Sequence, residues 1–314
     1  MAFTALDVAK LREQTGAGMM DCKKALTNTN GDMEKAAEYL REQGVLVAAK
    51  KADRLASEGA VAAFTAADGL TGALVEVNSE SDFVAKSDDF LALAGKIAKH
   101  VAVENPKDVD TALAQKFCDD KNITITDLIN HATAKIGEKL ALRRFIRHEV
   151  KEGINESYIH MGGKIGVLIE VKSDKKLDAK NQAAAKEMCR DIAMHIAAFG
   201  PKYVYDADVP KADVDYEKGM QKSIIANDPK AKGKPDNVIE KMVEGRIGKF
   251  YKEICLINQD FAKDPSKTVA AVVAENSKNL GVNLSIVKFT RFVMGEGLEK
   301  KVDNLAEEVA KLQK

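Results

Sequence analysis

At 314 residues the chain has enough length for about two or three domains. Its 48 Lys and Arg against 48 Asp and Glu give zero formal net charge, which excludes the basic excess typical of chains that grip phosphate backbones, so no direct nucleic-acid partner is expected. No apolar run approaches the roughly 18 residues a membrane span needs, so no membrane association is expected. The cysteines Cys22, Cys118, Cys189 and Cys255 stand far apart, without CxxC or histidines at ligand spacing. The expectation is therefore a soluble, cytoplasmic chain in a reducing compartment, with no metal and no cofactor.

Residues 1–54 read as three short helices. Thr4 caps the first, Thr15 and Gly16 stop it, Gly18 to Leu26 forms the second, and Asp32 opens a third that ends at Gly44. Lys50 to Glu58 reads as a charged linker. From there the chain repeats itself. Glu58-Gly59 returns 94 residues later as Glu152-Gly153, and Gly72 to Val77 returns as Gly166 to Val171. Ile97 to Ala102, with His100, returns 95 residues later as Ile192 to Ala197, with His195. Two halves, 55–150 and 151–262, thus share one supersecondary unit.

Each unit opens with a hairpin. Asp68-Gly69 links Val61–Ala66 to Leu70–Val77, and Gly162-Gly163 links Ile154–His160 to Lys164–Val171. A helix follows, then a third strand, read as Leu140–Glu149 and Tyr251–Asn258 on the match of Lys135-Ile136-Gly137 with Arg246-Ile247-Gly248. That match leaves 16 extra residues in the second half, expected as a projecting helical hairpin over about 205–245, with a turn from Asp228-Pro229 to Lys234-Pro235. A closing module, 263–314, begins with Pro265 and Ser266 opening a helix to Asn279. A strand over Val282–Val293 and a last helix from Leu298 to Leu312 complete it. The fold class is α+β.

Catalytic equipment is missing: there is no GxxxxGK[ST] phosphate loop, GxSxG, HExxH, or GxGxxG after a strand. His100 and His195 read as packing histidines, while His160, at a strand end beside a glycine turn, is expected to face outward. Arg143, Arg144 and Arg147 read as a solvated basic face. The most informative stretch is Glu76 to Lys86, EVNSESDFVAK. A strand ends, a polar turn follows, and Asp82 and Phe83 precede a helix capped by Ser87. By residue type alone Phe83 belongs in the core beneath that helix; exposure toward a partner is the alternative.

EVNSESDFVAK resembles the second signature of the elongation factor Ts family, and Leu11 to Leu26, LREQTGAGMMDCKKAL, resembles the first. Ser81 stands where the family usually has threonine, and keeps the hydroxyl that can bond the turn. The resemblance covers nearly the whole chain. It implies a ubiquitin-associated-like fold for the three-helix module, a coiled coil for the hairpin, and a C-terminal module used against the partner. It further implies guanine-nucleotide exchange on elongation factor Tu, by protein binding with no catalytic residues, as a heterodimer or a two-plus-two assembly. Asp82 and Phe83 would enter the nucleotide-binding domain of Tu, Arg12, Met19, Met20 and Lys23 would dock the module there, and His160 would contact Tu from the second half. A binding scaffold or chaperone-like protein without exchange activity is the alternative from another class, and a metal-dependent enzyme a third.

Overall fold

The computed structural model describes residues 3–228 and 234–298. The closing helix read over 298–312 falls beyond them except for its first residue, and the turn read across 228–235 lies largely outside them.

Three helices open the chain: α1 (Ala5–Thr15), α2 (Met19–Asn28) and α3 (Met33–Lys51). Thr4 and Asp7 form a capping box at the first, and Gly16 ends it in the left-handed conformation, φ 68°. Val8, Leu11, Cys22, Ala25, Leu26, Ala36 and Leu40 close a small core among them.

The first half contains β1 (Glu58–Thr65), β2 (Thr71–Ser79), α4 (Asp82–Ala85), α5 (Asp88–Glu104), α6 (Val109–Ala114), β3 (Lys116–Phe117), β4 (Asp120–Thr124), α7 (Ile125–Ile136) and β5 (Ala141–Glu149). The second contains β6 (Gly153–His160), β7 (Ile165–Ser173), α8 (Ala179–Phe199), α9 (Lys211–Ala226), α10 (Asp236–Ile254), β8 (Asp260–Phe261), β9 (Asp264–Thr268), α11 (Val269–Leu280) and β10 (Leu284–Val293). Each half builds a three-stranded antiparallel sheet, ordered β1-β2-β5 and β6-β7-β10.

The sheets face each other and helices cover their outer faces. On β2, Ala73, Val75 and Val77 meet Phe90, Ile97 and Val101 of α5, whereas Leu74 points inward to Val61, Leu168 and Phe292. On β7, Val167, Ile169 and Val171 meet Ile192 and Ile196 of α8. Both central strands are buried on two sides, which is why they read as near-continuous apolar runs. The repeated Glu-Gly pair also has a physical basis. Gly59 and Gly153 adopt φ of 149° and 141°, and a Cβ at either would collide with the carbonyl oxygen of Val77 or Val171 on the neighbouring strand.

Several sequence readings are corrected. Helix α3 does not stop at Gly44 but runs to Lys51. Gly44 lies where α3 crosses α7, and a Cβ there would come within 3.3 Å of the His131 ring, so the glycine permits close helix packing instead of termination. The third strand of the second sheet is β10, not Tyr251–Asn258. Tyr251 to Ile254 finish α10, and Leu256–Asn258 make one 3-10 turn. Gly137 caps α7 at φ 86°, whereas Gly248 sits inside α10, so the Ile-Gly match pairs a helix end with a helix interior.

The true partner of β3-β4-α7 is β8-β9-α11. Lys116 and Asp260 are 144 residues apart, as are Ile125 and Val269. Against the 95-residue spacing of His100 and His195, the second half holds 49 extra residues, not 16. They include α9 and α10, which share a core of Ile225, Val243 and Ile247. Pro265 and Ser266 lie in β9, and Thr268 caps α11 instead. Residues 264–293 complete the second half, so the boundary read after 262 falls inside it.

Candidate partner-binding site

Strand β2 is hydrogen-bonded on both sides, to β1 and β5, down to its last residues. The backbone then turns through Glu80 and Ser81 into the single turn of α4. Ser81 caps that turn by accepting from the Val84 N–H at 3.3 Å. Glu138, 57 residues further on, fixes the same turn. Its carboxylate accepts from the N–H groups of Glu80 (3.1 Å) and Ser81 (3.0 Å) and from the Ser81 hydroxyl (2.6 Å). The Glu80 carboxylate in turn accepts from the Lys139 N–H at 2.6 Å and pairs with Arg54 at 3.3 Å. The serine hydroxyl therefore does the bonding expected of it.

Within α4, Ala85 is buried and Val84 packs on the core of the first half. Phe83 must then face away, and it is 85% exposed, more than any other large apolar residue among those described. The reading of Phe83 as a core residue is overturned: the single turn of α4 gives Val84 and Ala85 to the core, where Phe90 is fully buried, and leaves Phe83 on the other side. Asp82 is paired with Lys86 at 2.6 Å. The Lys86 hydrogen bond, with the charges of Lys86 and Lys164, outweighs desolvation and holds the Asp82 carboxyl below its usual range. An ionised carboxylate thus sits beside a bare aromatic ring on a backbone held in place.

His160 ends β6 only half-exposed, its Nδ1 3.0 Å from the Tyr158 hydroxyl, so it faces outward less fully than expected. Its neighbour Met161, which the sequence reading passed over, is 73% exposed. Lys164, beyond the turn, pairs with Glu58 at 3.1 Å, and its charge reaches Asp82.

Arg12, Met19, Met20 and Lys23 are all exposed, with Met20 at 74%. The three-helix module that carries them is fastened to the first half. Arg41 donates to Asp127 at 2.9 Å, Lys51 to the Gly137 carbonyl at 2.6 Å, and Lys139 back to the Ala52 carbonyl at 2.5 Å. A cavity of about 160 Å³ lies between module and body, bordered by Gly18 and Asp21 on one side and Ala134 and Lys135 on the other. Lys135 pairs with Asp89, in the first turn of α5, at 2.7 Å. The exposed methionines thus stand on a module fastened to the half of the molecule that carries the Asp82-Phe83 turn.

The reading of Arg143, Arg144 and Arg147 as a solvated face is also corrected, since all three are half-buried and bonded. Arg143 and Arg144 hold the fully buried Glu76 at 2.8 and 2.6 Å, and Arg147 donates to the Ala102 carbonyl at 2.9 Å. Burial would push the Glu76 carboxyl up, but the Gly295 N–H and both guanidinium groups prevail and hold it low. His100 and His195 are buried and bonded to Gln115 (3.1 Å) and Gln259 (2.8 Å), as packing residues. Among the described residues no three His, Cys, Asp or Glu form a group that could hold a metal ion, and no helix is long and apolar enough to cross a membrane.

Residues 80–296 match the family model described as Elongation factor TS. Elongation factor Ts of Clostridium perfringens is 46% identical over 310 residues, spanning 99% of both chains. That of Trichlorobacter lovleyi is 46% identical over 310 residues, 99% of this chain and 98% of its own. That of Clostridium acetobutylicum is 46% identical over 309 residues, 98% of each. These names assign a translation elongation role, and the α+β fold with antiparallel sheets agrees with it. On likeness of this extent, the chain belongs to the elongation factor Ts family.

Proposed function

We propose that the chain is the guanine-nucleotide exchange factor for elongation factor Tu, binding the GDP form and promoting GDP release. The observation that carries this reading is Phe83, 85% exposed on a turn whose backbone is fixed by Glu138. A large apolar side chain held in water gains free energy only when a partner covers it. Phe83 is the wedge that enters the nucleotide-binding domain of Tu. Asp82 acts beside it by charge, disturbing the partner's magnesium site.

Arg12, Met19, Met20 and Lys23 dock the module on the same domain, and His160 touches Tu from the second half. The activity is one of binding, with no covalent step. A protein that prefers nucleotide-free Tu over its GDP form must weaken GDP by the same factor, about tenfold for every 1.4 kcal/mol of preference. Complex formation takes place in the cytoplasm, and the α9–α10 hairpin is a coiled-coil element for assembly. The test is release of a fluorescent GDP from purified Tu: acceleration that depends on Phe83 supports the reading, and its absence with folded protein and a matched Tu overturns it.

A further inference from the structure

Met161 is one of three residues other than glycine with positive φ, at 48°, among those described. The other two are asparagines, Asn30 and Asn105, whose short polar side chains suit the left-handed region. An unbranched apolar side chain has no such compensation, and a residue there persists only when its surroundings force it. Here they do. Gly162 (φ 64°) and Gly163 (φ 97°) follow, and a Cβ at Gly163 would come within 2.6 Å of Ala60 Cβ, so the turn is seated on β1. Lys164 then anchors it to Glu58, the first residue of that strand. The left-handed backbone stands Met161 out into water at 73% exposure.

The same end of β1 also supports α4, through the packing of Val84 and Ala85 with Ala60. The Phe83 turn and the Met161 turn are therefore mounted on one strand, with Lys164 electrostatically linked to Asp82.

We infer that Met161 is a second apolar anchor for the partner that Phe83 engages, contributed by the second half of the molecule and presented by a turn strained for that purpose. The inference rests on the exchange reading above. Methionine suits the task, because its flexible thioether can adapt to a partner surface. It adds affinity without reaching the nucleotide, whereas Phe83 acts on release itself.

Three variants test this in GDP release from Tu, with the concentration of this protein varied. Met161→Gly relieves the backbone while removing the side chain, so its urea-unfolding midpoint should be no lower than that of the unaltered protein. Its half-saturating concentration should nevertheless rise about tenfold, with the saturated release rate unchanged. Met161→Leu should stay within about threefold of the original, and Phe83→Ala should instead lower the saturated rate. Unaltered half-saturation for Met161→Gly, in an assay where the unaltered protein accelerates release, overturns the anchor and leaves the exchange reading standing. No acceleration by the unaltered protein removes the exchange reading and the anchor with it.

Discussion

Replacing Glu138 by alanine tests whether the Asp82-Phe83 turn is held ready before any partner arrives. The carboxylate accepts three hydrogen bonds, from two backbone N–H groups and the Ser81 hydroxyl, at 2.6 to 3.1 Å. Bonds to a charged acceptor are worth about 1.5 to 3 kcal/mol each when buried, but Glu138 is only half-buried and water can re-bond the freed donors. We therefore expect a loss of about 2 kcal/mol in urea unfolding, well below the buried-site sum. Glu138→Gln keeps one carbonyl oxygen for the two N–H groups and should lose about half as much. Exchange should suffer beyond the stability loss, because a turn freed from Glu138 must be ordered again on binding. The expected signature is a folded Glu138→Ala protein at assay temperature whose half-saturating concentration for GDP release rises several-fold. A Glu138→Ala protein that matches the original in both unfolding and exchange would refute the idea of a preset turn.

Other consequences can be checked by unfolding alone. Gly59→Ala and Gly153→Ala each force a Cβ into a neighbouring strand at positive φ, and each should cost about 3 kcal/mol or fail to fold. Glu76→Gln leaves Arg143 and Arg144 facing a buried neutral amide, with an expected loss of about 3 kcal/mol. Because the folded Glu76 carboxyl is held below its usual range, the stability it gives is present above an unfolded pKa of about 4.3 and is lost as pH falls through the folded value; Glu76→Gln should flatten the acid limb there. His148 adds a separate step at higher pH. Burial, with the charge of Lys288, pushes its pKa from 6.5 down to about 4. Unfolded chains bind its proton first, so stability should fall by about 3 kcal/mol as pH drops from about 6.5 to about 4, and His148→Gln should remove that part of the slope.

What the sequence revealed and what it hid divide by the range of the interactions. Thr4, Asp32, Ser87 and Gly16 act within one helical turn, and all of them cap as read. The Asp68-Gly69 and Gly162-Gly163 turns likewise place both hairpins, because turn conformation is a property of adjacent residues. Phe83 misleads because its residue type favours burial, while in the single turn of α4 the core side is taken by Val84 and Ala85. Glu138 could not be found from local pattern, since its partners lie 57 and 58 residues away. The Arg143-Arg144 pair looks solvated until the fold brings Glu76 between them. Gly44 shows where a glycine rule fails: a glycine in a helical run marks an end only when no packing contact or continuing periodicity overrides it.

The central claim is that an exposed Phe83 converts binding into nucleotide release. Its most direct test is the release rate of fluorescent GDP from elongation factor Tu at physiological magnesium, with saturating unaltered protein and with saturating Phe83→Ala. Burial of one phenylalanine is worth about 1.5 to 3 kcal/mol, so we predict strong acceleration by the unaltered protein and a rate lower by roughly ten- to a hundredfold for the variant. Equal acceleration by a folded Phe83→Ala protein would contradict the claim.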